Sequence, residues 1–274
     1  MKIICEVCPN HCLLEEGDVG FCQARKNESG QVISMNYGKL TGLALDPIEK
    51  KPLARYYPGS YILSIGSFGC NMRCPFCQNC DISMKGEGQA HWLPMSPERL
   101  TEKAIALKQR GNLGVAYTYN EPCIGYEYVR DTARLIQKAG MKNVLVTNGY
   151  VKPWVQAELL PYMDAMNIDL KGFTREYYQK LGGDLETVKS FIQTAVKHCH
   201  VELTNLIVPG ENDGAELDEM FSWIASLDPG IPLHISRFFP RWKMTGKEPT
   251  PLETIYRIAE TAKKTLNYVY TGNC

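Results

Sequence analysis

This chain of 274 residues has no surplus charge, its 30 lysines and arginines being matched by 30 aspartates and glutamates. Binding to a nucleic acid or an anionic membrane surface draws on such a surplus, so neither partner is expected. No apolar run approaches the roughly 20 residues that span a bilayer. The opening stretch, MKIICEVCPNHC, lacks the apolar core and cleavage site of a signal peptide. A cytoplasmic location is therefore expected. Internal repeats and low-complexity stretches are missing too, which argues against a solenoid or a disordered linker. Hydrophobic residues make up 44% and charged residues 22%, the balance of a soluble globular protein with one buried core and room for a small appendage.

Cysteine is the exception to this plain composition. Of eleven cysteines, four lie in the first 22 residues and four between positions 70 and 80; Cys123, Cys199 and Cys274 stand apart. A reducing compartment favours metal binding over disulfides, and two groups suggest two metal sites.

From about residue 61 short β-rich runs alternate with amphipathic segments. Strands are expected at Tyr61–Ser67, Leu113–Tyr119, Asn143–Thr147, Ala165–Leu170, Val201–Val208 and Pro232–Ser236, with a seventh at Tyr268–Tyr270. Helices are expected at Pro97–Arg110, Glu127–Ala139, Lys152–Leu160, Leu185–His198, Ala215–Leu227 and Pro251–Thr265. Ser96-Pro97 supplies a cap and a first-turn proline, and Gly140 a stop. Six βα units in series point to an α/β fold, an open partial (β/α)6 TIM-like barrel with its chemistry at the C-terminal strand ends. Residues 1–50 do not share this rhythm and read as a cysteine-rich metal-binding module with a hairpin around Gln31–Tyr37. The barrel is assigned to 51–274.

Directly after the first expected barrel strand comes Cys70-Asn71-Met72-Arg73-Cys74-Pro75-Phe76-Cys77. Three soft thiolates on one loop can take three corners of an iron–sulfur cubane and leave one iron open. Spacing alone also admits a zinc knuckle with a fourth ligand, or a structural cluster completed by Cys80. The pattern Cys-x3-Cys-x-aromatic-Cys resembles the signature of the radical S-adenosylmethionine (SAM) superfamily, with Phe76 at the aromatic position. The resemblance implies a 4Fe–4S cluster on Cys70, Cys74 and Cys77, SAM chelating the fourth iron, and one-electron cleavage to a 5′-deoxyadenosyl radical that abstracts hydrogen. Downstream strand ends agree. Tyr119-Asn120-Glu121-Pro122 falls where the family carries a Gly-Gly-Glu-Pro-like segment, with Tyr119 and Asn120 in place of the glycines; Thr147-Asn148-Gly149 resembles the Thr-Asn-Gly turn of glycyl-radical activating enzymes, and Asp169-Leu170-Lys171 resembles their Asp-Leu-Lys. By resemblance Glu121, Asn148 and Lys171 line the SAM site together with Phe76, Asn120, Asp169 and His234.

Along nearly its whole length the chain is similar to the radical SAM component of the AmmeMemoRadiSam system. The stretches that carry this are the N-terminal Cys-x2-Cys-Pro-x2-Cys (Cys5 to Cys12), Asp46-Pro47-Ile48-Glu49-Lys50-Lys51-Pro52-Leu53, Tyr57-Pro58-Gly59-Ser60, Tyr117-Thr118-Tyr119-Asn120-Glu121-Pro122, Pro232–Pro240 and Val269–Asn273. These proteins are similar to pyruvate formate-lyase activating enzyme. The implied partners are a one-electron donor such as flavodoxin or ferredoxin, a protein substrate or the other components of that system. Thr204 and Asn205 stand where activases tend to carry arginine. Modification of a small molecule or peptide is thus a second reading, for which Phe238, Phe239 and Trp242 could form an apolar lid. A non-catalytic zinc-binding interaction protein is the competitor from another class.

Cys5, Cys8, Cys12 and Cys22 could hold zinc or a second iron–sulfur cluster, or stay partly unligated. His11 is a weak substitute ligand. Cys80 is expected to be a small buried thiol, Cys123 is a candidate for the active site, and His198-Cys199-His200 reads as incidental.

Overall fold

The computed structural model describes residues 2–274. Its frame is one eight-stranded sheet: β1 (Gly42–Pro47), β2 (Tyr61–Gly66), β3 (Asn112–Tyr117), β4 (Lys142–Thr147), β5 (Ala165–Asp169), β6 (His200–Ile207), β7 (Leu233–Arg237) and β8 (Val269–Gly272). Spatial order is β8-β7-β6-β5-β4-β3-β2-β1, so the sheet stays open between β8 and β1. All neighbours run parallel except β1, which lies antiparallel on β2.

The longer helices on the connections between parallel strands are α1 (Pro97–Ala106), α2 (Tyr126–Lys138), α3 (Pro153–Leu159), α4 (Arg175–Lys180), α5 (Leu185–Ala195), α6 (Glu216–Leu227) and α7 (Leu252–Ala262). Several starts follow capping chemistry. The Ser96, Thr174 and Asp184 side chains accept from the amides of Arg99, Tyr177 and Thr187. The central strands are buried on both faces, as a parallel sheet under helices requires.

The expected strands all form, within a residue or two of their expected ends, and the expected seventh becomes the edge strand β8. Among the described residues, two of the elements that the pattern does not announce bear on the barrel. One is α4, a six-residue helix too short for periodicity to reveal; the other is β1. Residues 42–47 share the composition of the cysteine module, yet they pair with β2 over the whole length of the strand, so the barrel sheet begins before residue 51. The module proper holds small antiparallel pairs, Ile3–Ile4 with Leu13–Leu14 and Arg25–Glu28 with Gln31–Ser34.

The segment after β1 plugs the N-terminal mouth of the barrel. Ile48 and Leu53 are fully buried, packing with Ile62, Ala116, Val144 and Ala165. The Pro52 carbonyl accepts from Asn167, and the Ala54 and Arg55 amides donate to Glu202. With this end filled, the cavity that holds the three thiols of the central motif lies at the C-terminal strand ends.

Candidate active site

The loop after β2 carries the three thiols. Gly69 has φ +87°, and a Cβ there would stand 2.4 Å from the Cys22 carbonyl oxygen. Only glycine allows the loop to lie this close to the N-terminal module. Asn120 fixes the loop from the other side: its Oδ1 accepts from the Ser67 amide at 2.9 Å, and its Nδ2 donates to the Phe68 and Gly69 carbonyls. The Met72 amide lies 3.4 Å from Cys70 Sγ.

Cys70, Cys74 and Cys77 line one cavity of about 270 Å³ at the strand ends, with Phe76, Asn120, Glu121, Asn148, Asp169 and Lys171. The cavity continues inward past Thr118, Val146, Thr204, Leu206 and Ser236. Burial pushes all three thiols up, Cys74 to about 11, while the Lys171 ammonium pulls Cys74 and Cys77 the other way. Burial alone would lower Lys171, but Asp169 and Cys74 together hold it well above the ordinary lysine range. Its Nζ is 2.9 Å from Asp169 Oδ2.

Glu121 is 2% exposed, and burial raises its pKa. Both its oxygens are already engaged: Oε1 accepts from Thr147 Oγ1 at 2.7 Å and the Cys123 amide at 3.0 Å, and Oε2 from the Asn148 amide at 2.8 Å. It braces the ends of β3 and β4 against each other. Asn148 Nδ2 in turn donates to Asn71 Oδ1 at 3.0 Å, tying that turn to the cysteine loop.

Other expected residues fall elsewhere. His234 does not line the cavity: it sits low in β7, 2.6 Å from Glu202 Oε2, because its strand position places it beside the barrel floor. Cys123 is fully buried against Thr147 Oγ1. Cys80 is buried outside the cavity lining, its sulfur 3.9 Å from Asp81 Oδ1. Phe238 is a core residue, and neither Phe239 nor Trp242 reaches the cavity, so the expected apolar lid is not formed.

Tyr119 stands at a position where the resembling motif carries glycine. Tyr119 adopts φ +73°, the conformation a glycine takes at no cost. Its ring lies over Gly42 and Gly66, where a Cβ on Gly66 would be 2.8 Å away. Its hydroxyl donates to Asp46 Oδ2 at 2.7 Å, and the buried Lys51 ammonium, 2.9 Å from the same oxygen, lies over the ring. These contacts hold a strained residue in place. Two glycines facing a tyrosine across separate strands give no local signal in sequence.

The fit to an iron–sulfur cluster rests on this donor set. Three thiols share a cavity, amides favour their thiolates, a buried cation offsets their charge, and the nearest spare thiol lies outside the lining. Among the described residues no three His, Cys, Asp or Glu side chains are gathered tightly enough to hold a single ion. A cubane asks for wider spacing, because each thiolate binds a different iron.

The radical SAM superfamily profile matches residues 64–224, the stretch from β2 into α6. Uncharacterized protein MJ0808 of Methanocaldococcus jannaschii is 42% identical over 279 residues, 99% of this chain and 81% of its own length. Pyruvate formate-lyase 1-activating enzyme of Escherichia coli is 31% identical over 152 residues, 53% of this chain and 60% of the enzyme. SuiB of Streptococcus suis bound to S-adenosylmethionine shares the fold, with a TM-score of 0.61 at 13% identity over 78% of this chain and 52% of SuiB. Among the described residues no helix is long and apolar enough to cross a membrane. The chain belongs to the radical SAM superfamily and is an enzyme related to the pyruvate formate-lyase activating enzymes.

Proposed function

We propose that this protein cleaves SAM reductively at a 4Fe–4S cluster on Cys70, Cys74 and Cys77 and directs the product radical at a substrate in the barrel. The observation that carries the reading is the shared cavity of these thiols with Asn148, Asp169 and Lys171, while Cys80 is turned to Asp81. When bound and reduced, cluster and SAM supply a 5′-deoxyadenosyl radical that removes a hydrogen atom from the substrate.

The chain's own residues bind, orient and shield. Asn120 and Gly69 set the loop so that three sulfurs face one space. Lys171 offers a buried cation to the carboxylate of methionine, where a charge-assisted hydrogen bond is stronger than a neutral one. Glu121 holds the strand-end turn that presents Asn148, and the Tyr119 carbonyl, fixed by Asn79 Nδ2 at 2.7 Å, faces the same region. The plugged floor keeps water from entering through the other end.

The relation to activating enzymes favours a glycyl-radical-activase-like protein substrate, an electron donor such as flavodoxin or ferredoxin, and membership of the AmmeMemoRadiSam group. A small-molecule or peptide substrate is the second reading, favoured by the 239–243 segment. It crosses from β7 to the cysteine loop, with the Lys243 amide on the Pro75 carbonyl, Gln78 on the Phe239 carbonyl and Arg241 on Asp81. This strap bridges the open side of the sheet. Cys5, Cys8, Cys12 and Cys22 form a second metal site, zinc or iron–sulfur, in the same reading.

The test is anaerobic reconstitution followed by incubation with SAM and dithionite. Formation of 5′-deoxyadenosine, lost in Cys74→Ala, is expected. A reduced protein holding its cluster that leaves SAM intact overturns the reading. Incubation with deuterated candidate substrates then separates the two substrate classes by label transfer into 5′-deoxyadenosine.

A further inference from the structure

The four N-terminal cysteines lie against the catalytic loop and take no part in the cavity. We infer that Cys5, Cys8, Cys12 and Cys22 hold a second iron–sulfur cluster that receives electrons from a small redox protein and passes them to the cluster on Cys70, Cys74 and Cys77. This rests on the radical SAM reading for its acceptor, while the site itself rests on its own residues.

Backbone contacts bring the four cysteines together: the Cys5 amide donates to the Cys12 carbonyl at 2.9 Å, with Cys8 on the turn between them, and the amide of Phe21, the residue before Cys22, donates to Cys12 Sγ. Burial pushes the Cys8 thiol up, and the charges of Cys22, Cys5 and Cys12 push it further. Cys22 is raised by burial and then by Cys5 and Cys12, and Cys5 likewise feels Cys12. Cys5, Cys8 and Cys22 are buried, and Cys12 is partly open. Unliganded thiols packed together gain little from such a setting, whereas a thiophilic metal centre gains four ligands.

The backbone is built for thiolates. The amides of Val7, Asn10 and Ala24, each two residues beyond its cysteine, favour the charged forms of Cys5, Cys8 and Cys22. The Phe21 amide donates to Cys12 Sγ at 3.3 Å. The catalytic loop uses the same i to i+2 device at Cys70 with Met72 and at Cys77 with Asn79. Arg25 adds a cation. It is 3% exposed, ion-paired with Glu127 at 2.7 Å, and its charge favours the thiolates of Cys5 and Cys22. Its Nε is buried without a hydrogen-bond partner, a donor still available to a cluster sulfide.

Position argues for electron transfer rather than a remote staple. The Cys70 amide donates to the Cys22 carbonyl at 3.1 Å, so one backbone hydrogen bond joins a ligand of each site. Asn10 Nδ2 donates to the Asn71 carbonyl at 2.9 Å, and Arg73 reaches the Phe21 carbonyl. By bond lengths the Cys22 and Cys70 sulfurs lie within about 12 Å. Tunnelling falls steeply with distance, so this path is short. Zinc in this place could not change oxidation state. The module also lies nearer the surface, with Phe21 and Leu13 exposed beside Cys12. One electron leaves the reduced donor protein, enters this cluster and moves to the catalytic one. The donor is oxidised by one electron for each electron that arrives.

The experiment compares wild-type protein with Cys5→Ser/Cys8→Ser, and with Cys12→Ser in case the double variant fails to fold. All are reconstituted anaerobically with iron and sulfide, and iron, zinc and EPR spectra are measured. About eight irons are expected in the wild type and about four in the variants. With dithionite, which reaches either cluster, variants should form 5′-deoxyadenosine within about threefold of wild type; with reduced flavodoxin the rate should fall at least about tenfold. About four irons in wild type, zinc at the N-terminal site, or equal loss with both reductants overturns the relay. Eight irons with no SAM cleavage by any reductant would instead leave the second cluster standing and sink the functional reading.

Discussion

The two ends of the barrel handle buried charge in opposite ways. At the floor the buried carboxylate of Glu202 is spent on its neighbours. Glu202 is fully buried in β6, where it accepts from His200 at 2.9 Å, His234 at 2.6 Å and the Ala54 and Arg55 amides. Burial alone would raise its pKa, but these donors win and hold it at about 2. At the C-terminal end three thiols and a lysine face a shared space. A wider cleft of about 650 Å³ near the floor has one thiol, Cys199, and one lysine, Lys197, in its lining with His200 and Asp228, rather than a set of three thiols around a lysine. Polar groups that satisfy one another stabilise a fold; polar groups left facing a cavity await a ligand.

The largest effect should come from breaking the open end. Cys74→Ala is expected to abolish stable cluster binding and 5′-deoxyadenosine formation, read by iron analysis and product assay, with little change in the melting temperature of the apoprotein. Lys171→Ala should keep its iron and raise the SAM concentration needed for half-maximal rate by roughly ten- to a hundredfold, the scale of a lost hydrogen bond to a charged group. An unchanged SAM dependence would remove Lys171 from the binding site.

The floor should respond in stability instead. The folded pKa of Glu202 lies below its ordinary 4.5, so its contribution is complete above that pH and is lost as pH falls toward 2. In Glu202→Gln apoprotein, denaturant titrations above pH 5 should show a loss on the order of 3 kcal/mol that narrows on acidification. The same loss at every pH would mean that packing, not charge, carries the effect. The smallest change is expected for Tyr119→Phe, which removes the bond to Asp46. A cost of about 1 kcal/mol and a few-fold weaker SAM dependence should follow; no change in either would show that the ring alone holds the strained turn.

The alternation of strands and helices is legible in sequence because long amphipathic segments and capped starts carry their own periodicity. The strand-end motifs are legible because each of these cavity-lining groups lies at or just past the end of a strand. What escapes a reading of the sequence depends on contacts between distant segments. Gly42–Pro47 reads as part of the cysteine-rich module until β2 is present to pair with it, and Asp46, Lys51 and Tyr119 come together only in the folded barrel. His234 is displaced from the expected site for a related reason: the residue lies in the expected strand, but at its floor end, where Glu202 claims it.

The central claim is that one iron has no protein thiolate and takes SAM directly. Electron–nuclear double resonance on the reduced protein, with SAM labelled at its amino nitrogen, tests this most directly. A hyperfine coupling from the label, retained in Cys80→Ala, is the predicted result. No coupling in protein that binds SAM, or loss of the cluster in Cys80→Ala, would contradict it.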